Sequence, residues 1–190
     1  ILSSNEEKAQ QAYDITSRIK AALSNVELGA KDLLHNDYSM RLYDATARDF
    51  GPLLVYIGEL AKALGDFTEL VRFIMEGIDD DDKDIPSYWE SKIILRRLDA
   101  YVILLKNFGV WDEKRDEVFW IQKRRLPPDM AKNDNDPEYI IFTQTPLDIS
   151  HLMNEGVYEQ MSSVICTSAT LKTGRDFNYW KSRTGINYAD

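Results

Sequence analysis

Hydroxyl groups gather late in the chain, in the run Thr167-Ser168-Ala169-Thr170-Leu171. A hydroxyl both donates and accepts a hydrogen bond, so it suits a contact that changes partner at low cost. Nucleophilic attack fits less well, because no G-x-S-x-G elbow frames Ser162, Ser163 or Ser168. The lone cysteine, Cys166, follows Val164 and Ile165. Those apolar neighbours predict a buried, inert thiol at the end of a buried strand. His35 and His151 are far apart, with no paired cysteine or HExxH pattern to hold zinc. His35 reads as a surface or helix-end residue. Asp79, Asp80, Asp81, Asp82 and Asp84 lack the alternating offsets, central glycine and closing glutamate of a calcium loop. They read as a solvated turn. No G-x-x-x-x-G-K-[ST] loop is present to cradle phosphates.

These groups must be placed by a chain of 190 residues, 44% hydrophobic and 29% charged, which is enough to bury a sizeable core. A net charge of −9 exerts no global pull on nucleic acid, so any such contact needs a local basic patch. One cysteine excludes a disulfide framework and fits a cytoplasmic location. No apolar run is long enough to cross a membrane. The start, Ile1-Leu2-Ser3-Ser4, is not a signal peptide, and the missing methionine suggests a piece of a longer protein.

Three long helices are expected in residues 4–109. Ser4 and Glu7 have capping-box spacing, and Ala12, Ile15, Ile19, Ala22 and Val26 step by three and four. Gly29, with Ser24 and Glu27, predicts a break or kink near residues 24–29. Pro52 opens a second helix, with Leu53, Ile57, Leu60, Leu64, Phe67, Val71 and Ile74 as its seam and Gly77 as its stop. Pro86 and a Ser87–Glu90 capping pair open a third, with Ile94, Leu98, Tyr101, Leu105 and Phe108 as its seam. Short strands are expected near 117–123, 139–144 and 163–167, with a proline-marked loop at 127–137. The fold class is therefore mainly α with a small β part (α+β), an antiparallel long-helix bundle followed by a few short strands. The expected division is a helical domain, 1–110, and a β-containing segment, 111–190.

The run from Tyr139 to Ile186 resembles the DinG/XPD-type ATP-dependent DNA helicases of superfamily 2. Thr145-Pro146-Leu147-Asp148 matches a "TPLD" segment that leads to motif III. Thr167-Ser168-Ala169-Thr170-Leu171 matches motif III itself, "TSATL". Phe177, Tyr179, Trp180, Arg183 and Gly185 match the aromatic stretch that follows. The match covers roughly a quarter of the chain, and the helical half agrees with the family's inserted "arch" only in position and texture. The resemblance implies a non-catalytic fragment: the arch, which helps guide single-stranded DNA, plus the motif III part of the first motor domain. Ser168 and Thr170 would then couple the nucleotide site to the DNA cleft. ATP and Mg2+ are expected in the longer protein, together with the rest of the motor domains, and none of the three is supplied by this chain. Whether an iron–sulfur cluster is present is left open, since its ligands would lie elsewhere. For strand contact, Trp120 with Lys123, Arg124 and Arg125 comes first and Arg96 with Arg97 second. The competing reading of these residues is a solvated basic patch on an acidic domain. The alternative for the whole chain is a stand-alone helical protein-interaction module.

Overall fold

Good helix formers, with apolar side chains every three to four positions, set the first element. In the computed structural model, which describes residues 2–127, 138–167 and 176–186, helix α1 runs unbroken over Leu2–Leu34. Ile15, Ala22, Val26, Ala30 and Leu34 are its buried stripe. The break expected near 24–29 does not occur. Gly29 is a packing residue: a Cβ there would lie 3.1 Å from the Tyr56 ring of the next helix. Packing along a long helix outweighs the roughly 1 kcal/mol that one glycine costs in propensity. Exposed His35 follows α1 with φ 43°, the left-handed turn that closes many helices.

Helix α2, Ala47–Glu76, begins ahead of Pro52, so the proline lies inside the helix and not at its first position. The turn before it explains the earlier start. The Thr46 hydroxyl donates to the Arg41 carbonyl at 2.6 Å and accepts the Tyr43 N–H at 3.2 Å. Pro52 deprives the Arg48 carbonyl of its helical donor. Burial of Phe50, Leu53 and Ile57 around it more than compensates. The expected seam is buried at Leu53, Ile57 and Leu60, half-buried through Val71 and exposed at Ile74. Gly77 caps the helix as expected.

Helix α3, Pro86–Gly109, has Pro86 in its first turn; Ile85 is the N-cap, and no side chain caps the helix, so the Ser87–Glu90 box is not formed. Its buried line is Val102, Leu105 and Phe108. Ile94 and Tyr101, expected in the seam, are 56% and 55% exposed. The stripe passes through Val102, one position later than the sequence suggested. Tyr101 instead lines an apolar trough of about 300 Å3 with Ile19, Leu23, Leu60, Leu64 and Leu104. Helix α2 packs against both α1 and α3. Gly29 meets Tyr56 while Arg18 pairs with Asp66 at 3.0 Å, so α1 and α2 run antiparallel.

Three strands form one sheet in the order β1 (Ser39–Leu42), β2 (Glu117–Arg125), β3 (Glu138–Pro146). The last two match the expected strands, and β1 was not anticipated. Strand β1 is antiparallel to β2, with Met40 opposite Ile121 and Leu42 opposite Phe119. The inner face of the sheet packs on the helices. Phe108 of α3 makes edge-to-face contacts with Phe119 (5.1 Å) and Phe142 (5.6 Å). The loop expected at 127–137 lies outside the described residues beyond Pro127.

The chain divides into two compact units, Ile1–Gln144 and Thr145–Asp190. In the second, α4 (Ser150–Met153) continues into a π-helical turn (Asn154–Tyr158), and α5 spans Asn178–Thr184. The strand expected at 163–167 does not form, and Ile165 is 89% exposed. A short apolar run becomes a strand only beside a neighbour that pairs its backbone, and the described residues of this unit offer none. Among the described residues, no helix is long and apolar enough to cross a membrane.

Candidate nucleic-acid interface

Strand geometry sorts the expected contact residues onto two faces. Phe119 and Ile121 are buried against the helices. Trp120, Gln122 and Arg124 therefore point to the other face of the sheet. Register carries the same alternation into β1, where Ser39 lies opposite Gln122 and Arg41 opposite Trp120. In β3, Ile140 and Phe142 pack on the core, so Tyr139, Ile141 and Thr143 face outward. Arg125 pairs with Glu138 at one end of β2, and Gln144 hydrogen-bonds to Glu117 at the other. Strands β2 and β3 are thus antiparallel.

The three basic residues after Trp120 do not act together. Lys123 Nζ donates to the His35 carbonyl at 2.5 Å, and its backbone N–H donates to the Tyr38 carbonyl at 2.8 Å. It places a cation at the C-terminal end of α1, where the helix dipole is negative, a contact worth up to about 1 kcal/mol. Arg125 Nε lies 3.3 Å from Glu138 Oε1 in an exposed pair of little energetic weight. Arg124 alone shares the outward face with Trp120. Lys123, Arg124 and Arg125 also border a cleft of about 460 Å3 with His35, Tyr38 and Glu138. Arg96 and Arg97 are exposed on α3, about 17 Å along the helix axis from the Phe108 end that meets the sheet. They lie apart from the residues of the sheet.

The outward face also holds residues that the sequence did not point to: Arg41, Tyr139 and, just past β1, Tyr43. The Arg41 guanidinium sits 5.8 Å from the Tyr43 ring. The alternation of Ser39-Met40-Arg41-Leu42 was the signal, but four residues between two long helices are easily read as a loop.

In the second unit, Thr167 is exposed and Cys166 is partly exposed rather than buried. Without a strand there is no sheet to bury the thiol. Ser168, Ala169, Thr170 and Leu171 lie outside the described residues. The flanking segments are better defined. Asp148 Oδ1 accepts the Ser150 N–H at 2.8 Å at the start of α4. This bond and the nearby Arg183 charge hold the Asp148 carboxyl below its usual range. Its contribution is therefore present above that range and fades as pH falls through the lowered value. Gly185 has φ 78°, and a Cβ on it would lie 2.1 Å from the Ser150 carbonyl oxygen. Among the described residues, no three His, Cys, Asp or Glu side chains converge on a metal site. No protein-family model, curated protein or solved structure matches the chain.

Proposed function

We propose that this chain is a non-catalytic part of a DinG/XPD-type ATP-dependent DNA helicase. In this reading the long helices guide single-stranded DNA, and the Thr167–Leu171 segment couples ATP hydrolysis to strand separation. One observation carries the proposal. The two segments that flank the motif III-like run meet in space, with Gly185 backed against the Ser150 carbonyl and Arg183 acting on Asp148. Residues matched for their type, and separated by the whole Thr167–Leu171 run, are thus part of one small body. That body begins at Thr145, the first residue of the "TPLD" stretch. An arch inserted into a motor domain would end at such a junction. The exposed Val164 and Ile165 fit a sheet strand whose neighbours belong to other segments of the longer protein.

The residues present do not fit ATP and Mg2+. No phosphate-cradling loop occurs in the sequence, and no group of three or more metal-ligating side chains converges among the described residues. A single cysteine cannot bind an iron–sulfur cluster by itself. Nucleotide chemistry would fall to other segments, and this chain would contribute hydroxyls that change partner as the nucleotide changes.

The coupling role is tested with Ser168→Ala/Thr170→Ala in the full-length protein. Unwinding should fall by at least about tenfold, the loss of one or two hydrogen bonds made only in the coupled state, while ATP turnover stays within about threefold. Equal losses of both activities would assign the pair to hydrolysis, and no loss of either would remove it from the mechanism.

A further inference from the structure

Five features of the sheet's outward face combine. Arg41 and Trp120 sit opposite each other on adjacent strands, roughly 5 Å apart by ordinary strand spacing. Arg124 follows on β2, exposed, and Tyr139 on β3 is 39% exposed. Tyr43, 46% exposed, extends the aromatic surface under the Arg41 guanidinium. The fifth feature is an absence of acid. From Ser39 through Thr143, no outward strand position holds Asp or Glu, although the chain carries 32 of them. The sheet's two glutamates, Glu117 and Glu138, both fall on inward positions of the alternation.

We infer that this outward face is a stacking platform for single-stranded DNA. Each base has an apolar π-face that an aromatic ring or a guanidinium plane accepts without regard to sequence, while arginines neutralise the phosphates. A sheet face carrying Arg41 on β1, Trp120 and Arg124 on β2 and Tyr139 on β3 supplies both kinds of contact. Charge complementarity selects this occupant: a face whose strand positions hold no carboxylate, on a chain of net charge −9, is suited to a polyanion. A protein partner would more naturally use the apolar trough between the helices. The choice of DNA rests on the helicase reading above. The platform itself rests on the sheet, and it moves the contact from the row Lys123–Arg125 to a face in which Lys123 and Arg125 take no part.

The test uses the 190-residue chain with a fluorescein-labelled oligo(dT) 12-mer at low salt. Weak binding with quenching of tryptophan emission is expected, and Trp120→Phe should abolish most of the quench while preserving the fold. Arg41→Glu/Arg124→Glu should weaken binding at least about tenfold. Arg41→Ala/Arg124→Ala should lower the salt slope by about 1.4, from two phosphate contacts at about 0.7 each. Lys20→Glu/Lys62→Glu, at exposed positions of α1 and α2 and with the same change in net charge, should alter affinity less than about twofold. Circular dichroism of each variant checks that the helices persist. If the two Glu pairs weaken binding equally, only net charge matters and the platform is wrong. If the chain does not bind oligo(dT), or binds an oligo(U) 12-mer more tightly, the DNA assignment is wrong. DNA-stimulated ATP turnover by the full-length protein is measured in parallel, so the platform can fail while the helicase reading survives, and the reverse.

Discussion

Phe108→Ala is expected to remove about 3–5 kcal/mol from the stability of the helical unit, the usual range for truncating a buried aromatic ring. Phe108 is fully buried at the end of α3 and packs edge-to-face on Phe119 of β2 and Phe142 of β3. It therefore joins the helices to both long strands. Truncation loses the transfer free energy of the ring, leaves a cavity and breaks two aromatic pairs. A domain of this size has about 5–15 kcal/mol in total, so the change removes a large share. Urea denaturation followed by helical circular dichroism checks the value. Phe108→Leu should lose clearly less, because most of the volume remains. A loss below about 1.5 kcal/mol for the alanine variant would mean that the sheet is not anchored through this ring.

Gly185→Ala is expected to disrupt the second unit while sparing the first. Two penalties coincide at this position. The residue sits at φ 78°, and its Cβ would overlap the Ser150 carbonyl at 2.1 Å, a backbone group held by α4 and by the Asp148 bond. A left-handed alanine alone costs about 1–2 kcal/mol, and relieving the overlap requires parting α5 from α4. Among the described residues beyond Thr145 few side chains are buried, so little else there holds the unit. Amide exchange in α4 and α5 should rise at least tenfold, with rates in α1 to α3 unchanged. Unchanged exchange in α5 would show that Gly185 and Ser150 do not make this contact in solution.

The long helices were legible because their apolar residues repeat at 3.6 for many turns, and strands β2 and β3 because β-forming residues cluster between turn signals. Misreadings came where tertiary contacts decide. Gly29 looked like a break, yet it is the point where Tyr56 approaches α1. Pro52 looked like a start, but the Thr46 turn had already opened α2. Tyr101 suits a seam by type and spacing, and only the position of α2 and α1 turns it toward the trough. Strand β1 is four residues long and exists because β2 pairs with it. For the candidate site, basic and aromatic types at 120–125 were visible in sequence. Their division between two faces was not, because strand alternation matters only once one face is known to be buried. The partnership of Gly185 with Ser150 is invisible to any local pattern.

The most direct test of the helicase reading is ATP turnover with and without single-stranded DNA, measured on the chain alone and on the longer protein that this reading requires. The chain alone should be inactive, since it has no phosphate loop. The full-length protein should hydrolyse ATP, accelerate at least about tenfold when DNA is added, and separate a tailed duplex. A full-length protein that neither hydrolyses ATP nor responds to DNA, or DNA-stimulated turnover by the 190-residue chain itself, would contradict it.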